Sequence, residues 1–210
     1  MVRLLLSEGA DVDAVGGSGT ALQIAAAMPE GYRLVQLLLR KGADVNSPAR
    51  VPWSSTALQA ATGSRNKEMV KLLLDKGAYI NAPPSRHGGR TALQKAAESG
   101  NLNMVKLLVG ASADVNADAA PEKGRTYLQA AVWGRDARLL NYLLQLGANV
   151  NGLASAQGGR TALQAAVERK KSDLVELFLE ASADVRAPPS LRGGLQPLSA
   201  TLKNKSYKIA

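Results

Sequence analysis

The tetrapeptide Thr-Ala-Leu-Gln stands at residues 20–23, 56–59, 91–94 and 161–164, and a variant, Thr-Tyr-Leu-Gln, at 126–129. The first interval is 36 residues and each later one 35. A degraded sixth station, Gln-Pro-Leu-Ser, falls at 196–199. A motif kept in step over most of a chain marks a repeat array, in which stacked units bury what one unit alone leaves exposed.

The motif reads as a helix start. Thr at the N-cap with Gln three residues on is a capping box: the hydroxyl accepts from the Gln amide, and the Gln side chain reaches back to the Thr amide. Farther along each unit a second apolar pattern appears, as in Met69-Val70-Lys71-Leu72-Leu73-Leu74 and Met104-Val105-Lys106-Leu107-Leu108-Val109. Apolar residues at i, i+1, i+3 and i+4 make a broad buried stripe on a short helix. These outer helices are predicted to end at Gly42, Gly77, Ser112, Gly147 and Ser182, where glycine takes the left-handed conformation freely and serine bears strain. Gly100 closes the turn between the helices of its own unit; Arg65, Arg135 and Lys170 stand near that place in other units and imply a different closure. Pro-, Gly- and Ser-rich stretches such as Asn-Ala-Pro-Pro-Ser-Arg-His-Gly-Gly-Arg return as fingers to the next cap.

Composition agrees with this plan. Aromatic residues are only 4% of the chain, which suits closely stacked helices better than a bulky sheet core. There is no cysteine, which excludes disulfide staples and points to an intracellular home, cytoplasmic or nuclear. No apolar run approaches the ~20 residues that a membrane span needs, and the first residues lack a signal peptide's apolar stretch and cleavage site.

Motif, period and helix order together resemble the ankyrin repeat over essentially the whole chain. Thr-Ala-Leu-Gln-x-Ala takes the place of the family's Thr-Pro-Leu-His-x-Ala, and Gly-Ala-Asp-Val-Asn closes a unit. Gln replaces the usual His, Ala or Tyr the usual Pro, and 35 residues the family's ~33. Long fingers ending in Gly-Gly-Arg before the motif are similar to those of ankyrin arrays in filamentous fungi, which often form the recognition end of large multidomain proteins, including NACHT-type receptors. The resemblance implies one all-α solenoid over residues 1–210. Five full repeats start near 20, 56, 91, 126 and 161, a partial one occupies 1–13 and another 196–210. Both ends fall in mid-repeat, so we expect a piece of a longer array.

Candidate chemistry is sparse. The single histidine, His87, lies in a finger and reads as a solvated loop residue, and one His without Cys offers no zinc ligand set. Gly88-Gly89-Arg90 and Gly158-Gly159-Arg160 lack the spacing of a phosphate-binding loop. Neither a metal nor a cofactor is expected. The net charge of +9 divides between finger residues such as Arg50, Arg86 and Arg192 and residues at the inter-helix turns, such as Arg138 and Arg169. An inner helix of about nine residues would hold these two stripes ~14 Å apart.

The resemblance also implies that residues four and seven after each cap face a concave groove. These are Ile24 and Ala27, Ala60 and Gly63, Lys95 and Glu98, Ala130 and Trp133, Ala165 and Glu168. Trp133 stands where other units hold Ala, Gly or Glu, and Trp is enriched at binding hot spots. The expected partner contacts are therefore Trp133, Tyr127, Lys95, Glu98 and Glu168, with Arg90, Arg125, Arg160 and Trp53 on the finger side. The expected function is a monomeric, non-catalytic module that binds a protein. The alternative is a binder of nucleic acid or an anionic surface through the finger arginines; an enzyme would require a catalytic domain elsewhere. The capping boxes give a direct check: Thr91→Ala should lower the free energy of unfolding by ~1 kcal/mol in chemical denaturation.

Overall fold

The structure, a computed structural model, describes residues 8–50, 52–133, 137–152, 155 and 160–187. Within them lie ten α-helices in five pairs. The inner helices are α1 (Ala21–Ala27), α3 (Ala57–Gly63), α5 (Ala92–Glu98), α7 (Tyr127–Trp133) and α9 (Ala162–Glu168). Their outer partners are α2 (Tyr32–Arg40), α4 (Lys67–Asp75), α6 (Leu102–Gly110), α8 (Ala137–Gln145) and α10 (Ser172–Glu180). Inner helices stack on one another in chain order, and each outer helix packs on its own inner partner. Of the partial units expected at 1–13 and 196–210, residues 1–7 and all of 196–210 lie outside the described residues, as do Arg135, Gly158, Gly159 and Arg192.

Each inner helix buries its Leu and a pair of Ala. Leu22, Leu58, Leu93, Leu128 and Leu163 are buried, and the doublets Ala25-Ala26, Ala96-Ala97 and Ala130-Ala131 let backbones approach closely. The outer helices add one apolar stripe each, for example Met69, Val70 and Leu73, or Leu174, Val175 and Phe178. Full burial of one such side chain contributes roughly 1.5–3 kcal/mol.

All five capping boxes form. The Thr hydroxyls accept from the Gln amides at 3.1–3.4 Å, and the Gln Oε1 atoms accept from the Thr amides at 2.9–3.1 Å. The Gln side chain has a further role. Its Nε2 donates to the finger that leaves the same unit: Gln23 to Ser47 and Pro48, Gln59 to Ala82 and Pro83, Gln94 to Ala117 and Asp118. Gln129 and Gln164 donate to Gly152 and Ala187 in the same way. An amide side chain carries both an acceptor and two donor protons, so one residue serves the cap and the finger together.

A second set of side chains ties neighbouring units at the outer edge. Asn46, Asn81, Asn116 and Asn151 each donate to the carbonyl of the left-handed residue one unit on, namely Gly77, Ser112, Gly147 and Ser182. The same side chains accept from the amides of Tyr79, Asp114, Asn149 and Asp184. Asp13 occupies the corresponding place before Asn46 and accepts from Asp44.

The outer helices do end at left-handed residues, with φ from 63° to 88° at Gly42, Gly77, Ser112, Gly147 and Ser182. The inter-helix turns correct one expectation. Arg65 and Lys170 are not closed differently from Gly100: all three are left-handed, at φ 59°, 55° and 67°. The amide that follows each one returns to the inner helix, as Asn66 does to Ala61, Asn101 to Ala96 and Lys171 to Ala166. In these three units packing of the two helices thus imposes on Arg and Lys the geometry that Gly adopts. The 36-residue interval arises here too, because four residues, Met28 to Gly31, join α1 to α2 where three join α3 to α4. A second correction is length: the inner helices have seven residues, not about nine.

Tyr127 is a third correction. It was expected to meet a partner beside Trp133, yet its side chain is 2% exposed and belongs to the core. The first helical position faces the preceding unit, and Ala57, Ala92 and Ala162 are buried at the same place. Burial pushes the Tyr127 phenol above its ordinary pKa, with the charge of Asp114 adding to the effect. Its hydroxyl has no hydrogen-bond partner among the described residues.

Two stability measurements follow from these features. Ser112→Gly should stabilise the chain by ~0.5–1 kcal/mol in urea titration, because a left-handed non-glycine costs ~1–2 kcal/mol and glycine returns part of that as unfolded-state entropy. Tyr127→Phe should stabilise by ~1 kcal/mol at neutral pH by removing an unpartnered buried hydroxyl. The raised phenol pKa means that the folded state keeps a proton the unfolded chain releases above pH ~10. Wild-type stability should therefore be full below that pH and fall above it, whereas Tyr127→Phe should lose this part of the alkaline decline.

Candidate functional site

The groove is lined by the seventh residues after the caps and by the bases of the fingers. Position seven faces outward in every unit: Ala27, Gly63 and Glu168 are exposed, Glu98 is partly exposed and Trp133 is 41% exposed. Position four behaves differently. Ala60, Ala130 and Ala165 are buried there, and only the longer Ile24 and Lys95 reach the surface.

The arginine immediately before a cap meets the residue seven places after it. Arg90 Nε lies 3.4 Å from Glu98 Oε2, and Arg160 Nε lies 2.8 Å from Glu168 Oε2. In the intervening unit Trp133 takes the place of the glutamate. Arg125 accordingly reaches back to Glu98, at 2.6 Å from Oε1, while its guanidinium carbon lies 4.2 Å from the centre of the Trp133 ring. The guanidinium carbon of Arg169 lies 3.4 Å from the same centre. Such cation–π contacts are worth ~0.5–2 kcal/mol and hold the ring in place. A hollow of about 220 Å³ opens beside it, lined by Lys123, Arg125, Gln129, Trp133, Arg160 and Glu168.

The two stripes of positive charge therefore meet at Trp133. The sequence placed Arg125 on the finger side and Arg169 on the turn side, some 14 Å apart. Two seven-residue helices and two long side chains bring both guanidiniums onto one ring. Arg169 is the site residue that sequence reasoning missed; its only signal was its place directly after Glu168.

Lys95 and Trp53 sit farther toward α1. Lys95 Nζ donates to Ser55 Oγ at 2.9 Å, and partial burial lowers the ammonium pKa. Arg90 is likewise lowered by burial; it holds the carbonyls of Gly88 and Gly89 at 2.8 and 2.9 Å. Trp53 is 62% exposed and left-handed, at φ 63°. Its ring lies so close to the Gly88 backbone that a Cβ on Gly88 would overlap it. Lys123, left-handed at φ 54°, brings its Nζ to 5.9 Å from the centre of the Trp53 ring.

His87 is tied down within the fingers. Its Nδ1 lies 2.6 Å from Glu122 Oε2, Arg86 Nε lies 3.3 Å from Glu122 Oε1, and the Gly88 amide donates to the Glu122 carbonyl at 2.7 Å. Glu122 thus clamps two successive fingers. Among the described residues there is no group of three or more His, Cys, Asp or Glu that could hold a metal. None of the described helices is long and apolar enough to cross a membrane.

Comparison with known proteins agrees with this geometry. The family of ankyrin repeats in three copies matches residues 22–119 and 83–154, and that of the single ankyrin repeat matches residues 158–188. No curated protein matches the chain. A helix pair per motif, a solenoid of stacked pairs and these matches over most of the sequence have one meaning: the chain belongs to the ankyrin-repeat family, whose repeats generally serve as protein–protein interaction modules.

Proposed function

We propose that this chain is a non-catalytic recognition module that holds a protein partner in its concave groove and against its finger bases. The observation that carries the reading is Trp133. It is a large aromatic at a position where the other units hold Ala, Gly or Glu, it is 41% exposed, and two guanidiniums fix it in place. A ring ordered before binding loses little conformational entropy on contact, which favours affinity. Glu98, Glu168, Arg125 and Arg160 surround it, and Lys95, Arg90 and Trp53 extend the surface toward α1.

The nucleic-acid alternative is weaker on one point. Arg90, Arg125 and Arg160, the finger arginines it relies on, are already paired with Glu98 and Glu168. Each being engaged by a carboxylate, they form no continuous basic track of the kind that single strands follow.

Trp133→Ala is the test. It should lower the free energy of unfolding by only ~1–2 kcal/mol, about what the two lost cation–π contacts are worth, and leave the stack folded. It should weaken affinity for a protein partner captured with the wild type by ~2 kcal/mol or more. Calorimetric melting and titration of the same two proteins check both halves. A collapse in melting temperature would make Trp133 a core residue, and full affinity would place recognition elsewhere.

A further inference from the structure

The groove changes character along its length. Over α1 and α3 three large apolar side chains stand exposed among serines. Ile24 is 38% exposed, Met28 45% and Trp53 62%, and they rim a hollow of about 500 Å³ above Ala27 and Gly63. Met28 reaches this surface as the first of the four residues that join α1 to α2. Lys95 lines this hollow with its ammonium turned to Ser55 Oγ, and Lys123 Nζ lies 5.9 Å from the centre of the Trp53 ring.

Over α7 and α9 the groove is charged, with cations in excess. Arg125, Arg160 and Arg169 gather around Trp133 against two carboxylates, Glu98 and Glu168. Glu98 is shared with Arg90, and Glu168 pairs with Arg160. Neither Arg169 nor Lys123 has a carboxylate partner among the described residues. A guanidinium stacked on an aromatic ring keeps its planar N–H fork free at the rim, where it suits a carboxylate.

We infer that the groove is bipartite and fits one partner segment with an apolar end and an acidic end. The apolar end lies over Ile24, Met28 and Trp53, and the acidic end meets Arg169 beside Trp133. This rests on the reading of the groove as a protein-binding surface. Contiguous exposed apolar surface and complementary charge are what such an interface uses for affinity and register. Three steps of 8–10 Å separate the first and fourth inner helices, or ~24–30 Å. An extended segment of ~8–9 residues at ~3.3 Å per residue spans that distance.

The experiment is selection of random twelve-residue peptides displayed on phage against the whole chain, followed by fluorescence anisotropy with the synthetic winners. Winners should carry Leu, Phe or Trp near one end and two or more Asp or Glu about eight residues away. Ile24→Lys and Arg169→Glu should each weaken them by ~tenfold or more. Changing the peptide's acids to Lys should restore binding to Arg169→Glu while abolishing it for the wild type. Winners that depend on Trp133 but lack an acidic end would overturn the bipartite inference and leave the groove reading intact. A selection with no Trp133-dependent winner would overturn both. Random single-stranded DNA bound as tightly as the peptides, with the same Arg169 dependence, would make the charged half a polyanion site and overturn the inference as well.

Discussion

Everything in this solenoid hangs on the side-chain amide of the glutamine in Thr-x-Leu-Gln. One oxygen closes the capping box, and one nitrogen holds the finger that leads to the next unit. Local helix initiation and the path between units are thus decided by the same few atoms. The amide is buried in every unit, from Gln23 to Gln164, so a lost partner would leave a polar group without compensation, at ~1–3 kcal/mol each. The alanine doublets complete the requirement, since only small side chains let successive inner helices come close enough for the finger to be reached.

With the stack secured from behind, the groove side is free to vary, and its variation is orderly. Glutamate at the seventh position pairs with the arginine before the cap. Exchange of that glutamate for Trp133 releases Arg125 from its own unit, sends it to Glu98 and lets Arg169 come over the ring. A single replacement thus rearranges charge across three units. The same economy operates in the fingers. Residues three places before a cap are left-handed at Trp53, Gly88 and Lys123, and the two that are not glycine hold strain of ~1–2 kcal/mol each. Their side chains touch one another's fingers, which is where strained backbone is commonly retained.

The legible parts of the fold were the local ones. Period, capping boxes, outer stripes and the left-handed residues at Gly42, Ser112 and their equivalents all depend on neighbours within a few positions. What escaped depends on the adjoining unit. Tyr127 was read as exposed because the outward direction of the first helical position is set by the helix stacked before it. Arg65 and Lys170 adopt a glycine-like turn because helix packing overrides their preference. Arg169 was assigned to a separate stripe because side-chain reach across two units is invisible in a linear count. The apolar half of the groove was half legible. Ile24 was placed there, but Met28 was not, because it stands at the helix C-cap, one place beyond the positions counted, where other units hold Ser64, Ser99 and Arg169.

The asparagines at the outer edge have a consequence for how such a chain can change in length. Asn46, Asn81, Asn116 and Asn151 make the same pair of bonds to the unit ahead, and the glutamines do so on the inner side. At these edges, therefore, every junction carries the same bonds. A gene duplication that adds one unit between α3 and α7 would find matching edge bonds on both faces, at the expense of the contacts that cross the opened junction, such as Arg125 with Glu98. What it would alter is the gap between the two tryptophans, lengthened by one step of 8–10 Å. The array behaves as a ruler marked in whole repeats, and selection can reset the length of segment it measures without redesigning either end.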